Sequence, residues 1–223
     1  MGTTINLTAA DGHEFAAYQA PHEGAYKGGL VLIQEIFGVT PHIKDLCNEF
    51  ANLGYNVLSP AIFDRIERDA EFGYDEDQIQ KSVALAGQSG IEAPILDIQA
   101  CVDHLKVDGP VAITGFCYGG SLVWISAARV QGLSCAVGYY GRLIPDHLGE
   151  QPACPTMLHF GSRDASIPLT SVDKIRDARP EVDIHVFDAE HGFCSDRPQN
   201  HSTDAKAAAL ALTLGFFDTH MID

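Results

Sequence analysis

Apolar and polar positions change their spacing repeatedly along the chain, and each change marks an element. Residues 4–7 and 13–18 alternate on either side of Asp11-Gly12, which predicts two strands joined by a tight turn. Residues 21–28 are polar. Gly29-Leu30-Val31-Leu32-Ile33-Gln34 is then almost continuously apolar, as expected of a strand covered on both faces. The period shifts to a helical one over 41–53, where Ile43, Leu46, Phe50 and Leu53 share a face and Gly54 supplies the stop. A strand over 55–59 ends at Pro60. The charge-rich segment 61–74 reads as a loop over one end of the sheet. Helices are predicted over 75–85, which opens on Asp75-Glu76-Asp77, and over 93–105, with a break at 87–90.

The second half repeats the alternation. Strands are predicted at 111–114, 135–140, 156–160 and 182–187, and helices at 122–130, 171–178 and 204–217. Strands alternating with helices imply an α/β fold with a mostly parallel sheet, helices on both faces and the first hairpin as an antiparallel edge. No linker, repeat or low-complexity tract interrupts it, so residues 1–223 are expected to form a single domain. In such sheets the ligand site lies beyond the C-terminal ends of the strands. Glu35, Cys117, Asp164 and His191 all fall at that edge.

Composition narrows the chemistry. The formal net charge is -16, from 14 Lys and Arg against 30 Asp and Glu. That argues against nucleic acid and against an anionic membrane surface, both of which need clustered cations. A small anionic substrate remains compatible, since one placed Arg can hold a carboxylate. The six Cys are scattered without a C-x-x-C pair, which predicts reduced thiols. The first residues carry neither a basic nor an apolar leader pattern, and no apolar run has the length of a membrane span. The expectation is a cytoplasmic monomer acting on a small molecule.

The most informative stretch is Gly115-Phe116-Cys117-Tyr118-Gly119, placed between a buried strand and a helix. That is a nucleophile-elbow layout with Cys in place of Ser. The helix start offers N–H groups and a positive dipole end to a thiolate or an oxyanion. A thiol that attacks a carbonyl needs a base, and the base needs a carboxylate to fix its tautomer. Cys117, Asp164 and His191 occur in α/β-hydrolase chain order. Asp188 is a second carboxylate near His191, but too close in sequence for this layout. Each residue also has a plainer reading: a buried Cys, a turn Asp, a loop His. His191, Cys194 and His201 match no standard metal spacing, so neither a metal nor an organic cofactor is expected. Cys194 lacks an elbow.

Five stretches together carry a resemblance. They are Gln34-Glu35-Ile36-Phe37-Gly38, Gly115-Phe116-Cys117-Tyr118-Gly119-Gly120, Val137-Gly138-Tyr139-Tyr140-Gly141, Gly161-Ser162-Arg163-Asp164 with Ile167-Pro168, and Glu190-His191-Gly192-Phe193. With them the chain resembles the dienelactone hydrolase family, small α/β-hydrolases with a Cys-His-Asp triad. The resemblance implies an α/β-hydrolase fold. It also implies that Glu35 pairs with the resting thiol of Cys117 until substrate arrives, and that the amides of Ile36 and Tyr118 form the oxyanion hole. A thiol activated only by substrate is protected from oxidation.

The chain departs from the family in its cations. Dienelactone enzymes hold a substrate carboxylate with two arginines, one in the helical region after the variable loop and one a few residues past the catalytic His. Here residues 75–85 contain only Lys81, and the position four past His191 is Ser195, with Arg197 nearby. Arg65 and Arg68 in the variable loop are further candidates, and Tyr139 is a candidate pocket wall. The expected activity is hydrolysis of a small activated ester or lactone through a thioester acyl-enzyme. Hydrolysis of another carboxylic derivative, and a non-catalytic ligand-binding role, are the alternatives.

Overall fold

The computed structural model describes residues 2–222. Strand β1 (Thr3–Thr8) and β2 (Glu14–Ala20) form the expected antiparallel hairpin, with Leu7 opposite Phe15. Six further strands follow: β3 (Gly28–Ile33), β4 (Tyr55–Pro60), β5 (Val111–Phe116), β6 (Cys135–Tyr139), β7 (Thr156–Gly161) and β8 (Asp183–Phe187). They make one sheet in the order β1-β2-β4-β3-β5-β6-β7-β8. From β4 to β8 every neighbouring pair is parallel. Every residue of β3, β5, β6 and β7 is buried, because helices cover both faces of a parallel sheet.

The helices are α1 (Pro41–Asn52), α2 (Glu76–Ser89), α3 (Glu92–Leu105), α4 (Tyr118–Arg129), α5 (Leu169–Ala178) and α6 (Thr203–His220). Successive strand residues point to opposite faces. At the start of β3 a Cβ on Gly28 would meet Met221, just past α6, whereas one on Gly29 would meet Leu105 of α3. These two helices therefore lie on opposite faces. Helix α1 joins α6 through the Phe50–Phe217 ring contact.

Local chemistry sets the helix starts. Thr40 caps α1, Asp75 caps α2 and Ser202 caps α6, each accepting an amide of the first turn. Two boundaries differ from the sequence reading. Helix α2 runs through Gly87 to Ser89, because an exposed glycine inside a helix costs only about 1 kcal/mol; the break is Gly90, at φ +61°. Helix α4 begins directly after Cys117 rather than near residue 122, and includes Gly119 and Gly120. The segment 61–74 contains a 3-10 turn, Ile62–Arg65, and a second 3-10 turn, Ile144–His147, was not foreseen. Among the described residues, no helix is long and apolar enough to cross a membrane.

Candidate active site

Cys117 sits alone between β5 and α4 at φ 56° and ψ -113°, a conformation an L-residue rarely adopts. Such strain costs on the order of 1–3 kcal/mol and is sustained by its surroundings. The surroundings are visible here. Its amide donates to the carbonyl of Tyr139 at 3.0 Å. A Cβ at Gly115 would stand 2.7 Å from the carbonyl oxygen of Gly119, and one at Gly119 would stand 2.5 Å from that of Gln34. Both obstacles are backbone, so only glycine fits. The tight turn projects the half-buried thiol off the end of the sheet.

There it meets His191, whose Nε2 lies 3.2 Å from Cys117 Sγ. His191 Nδ1 lies 2.6 Å from Oδ2 of Asp164. The other oxygen of Asp164 accepts the amide of Ser166 at 2.8 Å, the hydroxyl of Ser166 at 2.6 Å and the amide of Ile167 at 3.1 Å. The carboxylate is thus buried but fully hydrogen-bonded. Burial works to raise its pKa, yet its bonds to His191 and Ser166 hold it below the usual carboxylate range. On His191 burial is the largest single influence and acts downward. The bonds and charges of Asp164 and Cys117 outweigh it and raise the ring to about 10. Asp188, the other carboxylate nearby in sequence, pairs instead with Arg163.

Glu35 follows β3 and is buried at 5% exposure. Burial raises its carboxyl to about 7, opposed by the positive charges of His191 and Arg197 and reinforced by Asp196. Among the described residues its carboxylate makes no hydrogen bond. The expected pairing of Glu35 with the resting thiol is not the arrangement seen: Cys117 Sγ faces His191. The physical reason is the elbow, which aims Sγ at the loop after β8, while the buried Glu35 is left to the fields of its neighbours. Tyr118 is the first residue of α4, so its amide is one of those a helix leaves without an intrahelical acceptor. The amide of Ile36, in the turn after β3, likewise has no backbone acceptor among the described residues.

The candidate cations separate. The Arg197 guanidinium lies 5.1 Å from the ring centre of Tyr74 and 6.0 Å from that of Phe37, and its charge acts on Glu35. It is the one cation of the candidates that the fold brings to the site. Arg65 instead bonds Asp97 through Nε at 2.9 Å and Nη2 at 2.8 Å, and Asp11 through Nη1 at 2.7 Å. Asp97 is fully buried and needs that charge, so Arg65 pins the variable loop to α3 and the first hairpin. Arg68 donates to the carbonyl of Glu14 at 2.9 Å. Lys81 is exposed on α2, beside a cleft of about 610 Å³ that also touches Glu67 and Phe72. Tyr139 is core: its hydroxyl lies 2.6 Å from Thr213 Oγ1, on α6. Arg65, Arg68 and Tyr139 are corrected from substrate contacts to structural roles, while Lys81 stands on a cleft of its own.

Sequence reasoning passed over four neighbours of the site. Phe37 and Tyr74 form an edge-on pair under Arg197. Tyr74 donates its hydroxyl to Asp196, which clasps the variable loop to the loop after His191. A cleft of about 340 Å³ borders that clasp, lined by Thr40, His42, Glu71, Phe72, Tyr74 and Asp196. Nothing in the local sequence of a loop announces such pairings. Ser166, two residues past Asp164, did carry a signal, since Ser there commonly bonds back to the preceding carboxylate. Among the described residues no group of three or more His, Cys, Asp or Glu side chains is arranged to hold a metal ion.

Comparison with known proteins adds to this geometry. The profile of the Dienelactone hydrolase family matches residues 15–221. A carboxymethylenebutenolidase of Pseudomonas sp. (strain P51) is 31% identical, over 94% of this chain and 92% of its own. Among solved structures, a protein of Klebsiella pneumoniae subsp. pneumoniae provisionally assigned as a dienelactone hydrolase superposes with a TM-score of 0.85 at 24% identity, covering 98% of each chain. A dienelactone hydrolase-like promiscuous phosphotriesterase from metagenomic libraries superposes at 0.77 and 21% identity, covering 99% of each. At these identities the two structures show the fold alone.

Proposed function

The chain belongs to the dienelactone hydrolase family, and on that premise we propose that it hydrolyses a small activated ester or lactone with Cys117 as nucleophile. The observation that carries this reading is the unbroken hydrogen-bonded line from Cys117 Sγ through His191 to Asp164. Nδ1 faces the carboxylate, so the proton that moves during the reaction is the one at Nε2.

In the proposed cycle Sγ attacks the carbonyl carbon and the proton of the thiol resides on Nε2. The oxyanion is received by the amides of Tyr118 and Ile36, an arrangement that contributes several kcal/mol, about 3 for each such donor. As the tetrahedral intermediate collapses, Nε2 gives its proton to the departing oxygen and a thioester to Cys117 remains. A water then attacks that thioester with Nε2 as base, releasing the acid and the free thiol. Thiolate is itself a good leaving group. The departing oxygen must therefore be at least as good, which favours enol-type lactones and activated esters over alkyl esters.

Arg197 is proposed to receive an anionic group of the substrate. Its guanidinium is half-buried against aromatic rings, and Glu35, near the middle of its titration at neutral pH, gives way by taking up a proton when a second anion arrives. Electrospray mass spectrometry during turnover of a p-nitrophenyl ester tests the nucleophile. The expected result is a single acyl adduct on the Cys117 peptide, absent in Cys117→Ala, with loss of turnover. Unchanged turnover in Cys117→Ala would sink the reading and leave a non-catalytic, ligand-binding role.

A further inference from the structure

The hydroxyl of Ser166 touches both of the groups that support the nucleophile. Its Oγ is 2.6 Å from Asp164 Oδ1 and 3.2 Å from His191 Nδ1. A hydroxyl has one proton to give. Asp164 in its ionised form has none, so the short contact must be Ser166 donating to Oδ1. The lone pairs of the same oxygen then face Nδ1, and that contact is favourable only if Nδ1 carries a hydrogen. The proton of Nδ1 is therefore shared between Oδ2 of Asp164 and Oγ of Ser166. The amides of Ser166 and Ile167 complete the clamp on Oδ1.

We infer that Ser166 is a positioning residue of the catalytic apparatus, which fixes His191 as the Nδ1–H tautomer and keeps Nε2 free for the proton of Cys117. This rests on the reading of Cys117 and His191 given above. The hydroxyl dipole has its positive end on Asp164 and its negative end on the ring. Its removal takes a favourable partner from the imidazolium while leaving the charge of Asp164 in place. Nothing in the backbone demands a serine: the side chain is on an exposed turn between β7 and α5. The charged or titratable groups acting on the ring are Asp164, Cys117 and Glu35, and the ring of Tyr140 packs edge-on against it at 5.1 Å. Of these only Asp164 also accepts from Nδ1, so the hydroxyl is the second acceptor at that atom.

The test is the pH dependence of iodoacetamide alkylation of the Cys117 peptide in the full chain, for wild type, Ser166→Ala and Ser166→Thr. Transfer of the thiol proton to Nε2 becomes harder when the imidazolium loses a partner. The ring then gives up its proton about half a pH unit lower, so the step of the Ser166→Ala profile that reports loss of the imidazolium is expected to move down by that amount. Ser166→Thr keeps the hydroxyl and is expected to match wild type. A Ser166→Ala profile superposed on wild type, or an equal shift in both variants, overturns the inference. Wild-type Cys117 reacting no faster than half-buried Cys154 overturns the nucleophile reading as well. Nitrogen-15 chemical shifts of His191, assigned with His191→Asn, provide a readout that needs no Ser166 variant: an Nε2–H tautomer in the wild type once the ring has lost its proton also overturns it.

Discussion

The amide of Cys117 donates to the carbonyl of Tyr139, across the ends of β5 and β6, at 3.0 Å. This bond spends the one amide of the elbow residue that a substrate oxygen would otherwise find. The proposed oxyanion site therefore falls to the next amide along, that of Tyr118. It also ties the strained Cys117 to the adjacent strand, so that turn and sheet hold their geometry together.

Two glycines that look alike in sequence should answer oppositely to alanine. At Gly119 a methyl group would stand 2.5 Å and 2.6 Å from the carbonyl oxygens of Gln34 and Ile33, with no side chain to swing away. At Gly87 it would meet nothing within 4 Å, in the last turn of α2. Gly119→Ala is expected to lower stability by about 2 kcal/mol or more, and Gly87→Ala to raise it by about 1 kcal/mol. Urea unfolding of both variants checks the pair.

Glu35 makes stability depend on pH in a direction opposite to most carboxylates. In the folded protein its proton is held to about 7, against 4.5 for an exposed carboxyl. Between these values the folded state binds more protons than the unfolded one. Its contribution is therefore fully present below 4.5 and is lost as pH rises through about 7. The buried carboxylate at pH 8 costs on the order of 3 kcal/mol. Glu35→Gln should thus gain on wild type between pH 5 and pH 8 in denaturant melts. A pH-independent difference would count against it.

Arg65 and Arg197 are expected to fail differently. Arg65→Ala leaves Asp97 buried with no countercharge, and burial already works to raise that carboxyl. A loss of about 3 kcal/mol in stability follows, with KM unchanged in whatever protein remains folded. Arg197→Ala should barely move the melting curve and should raise KM roughly tenfold or more for esters bearing a carboxylate, while neutral esters are unaffected. Equal effects on charged and neutral esters would remove Arg197 from substrate recognition.

Asp164→Asn keeps the size of the side chain and removes its charge. His191 then loses the partner that most raises it against burial, and its pKa falls. Turnover is expected to drop by roughly 10²-fold or more. Steady-state assays from pH 6 to 10, with circular dichroism to confirm the fold, decide it. Retention of more than a tenth of the activity would assign the orienting role elsewhere.

The sequence by itself determined the sheet, the elbow and the gathering of Cys117, Asp164 and His191 at one edge of that sheet. Strand runs such as 29–34 and 111–114 are apolar on both faces because helices cover both, and a period that simple survives translation from chain to fold. Cys117, Asp164 and His191 were legible because each follows a strand, and strand ends in a parallel sheet converge on one edge whatever the loops do. Gly115 and Gly119 were legible because the turn admits no side chain. What the tertiary structure alone decided is where the long side chains and loops go. Arg65, Arg68, Lys81 and Arg197 are equivalent as letters, yet only Arg197 reaches the site. Arg65 is claimed by Asp97, 32 residues away in the chain, and Tyr74 by Asp196, 122 residues away. The partner of the thiol was settled the same way, as His191 rather than Glu35, because a bond between side chains depends on directions that spacing along a chain does not encode.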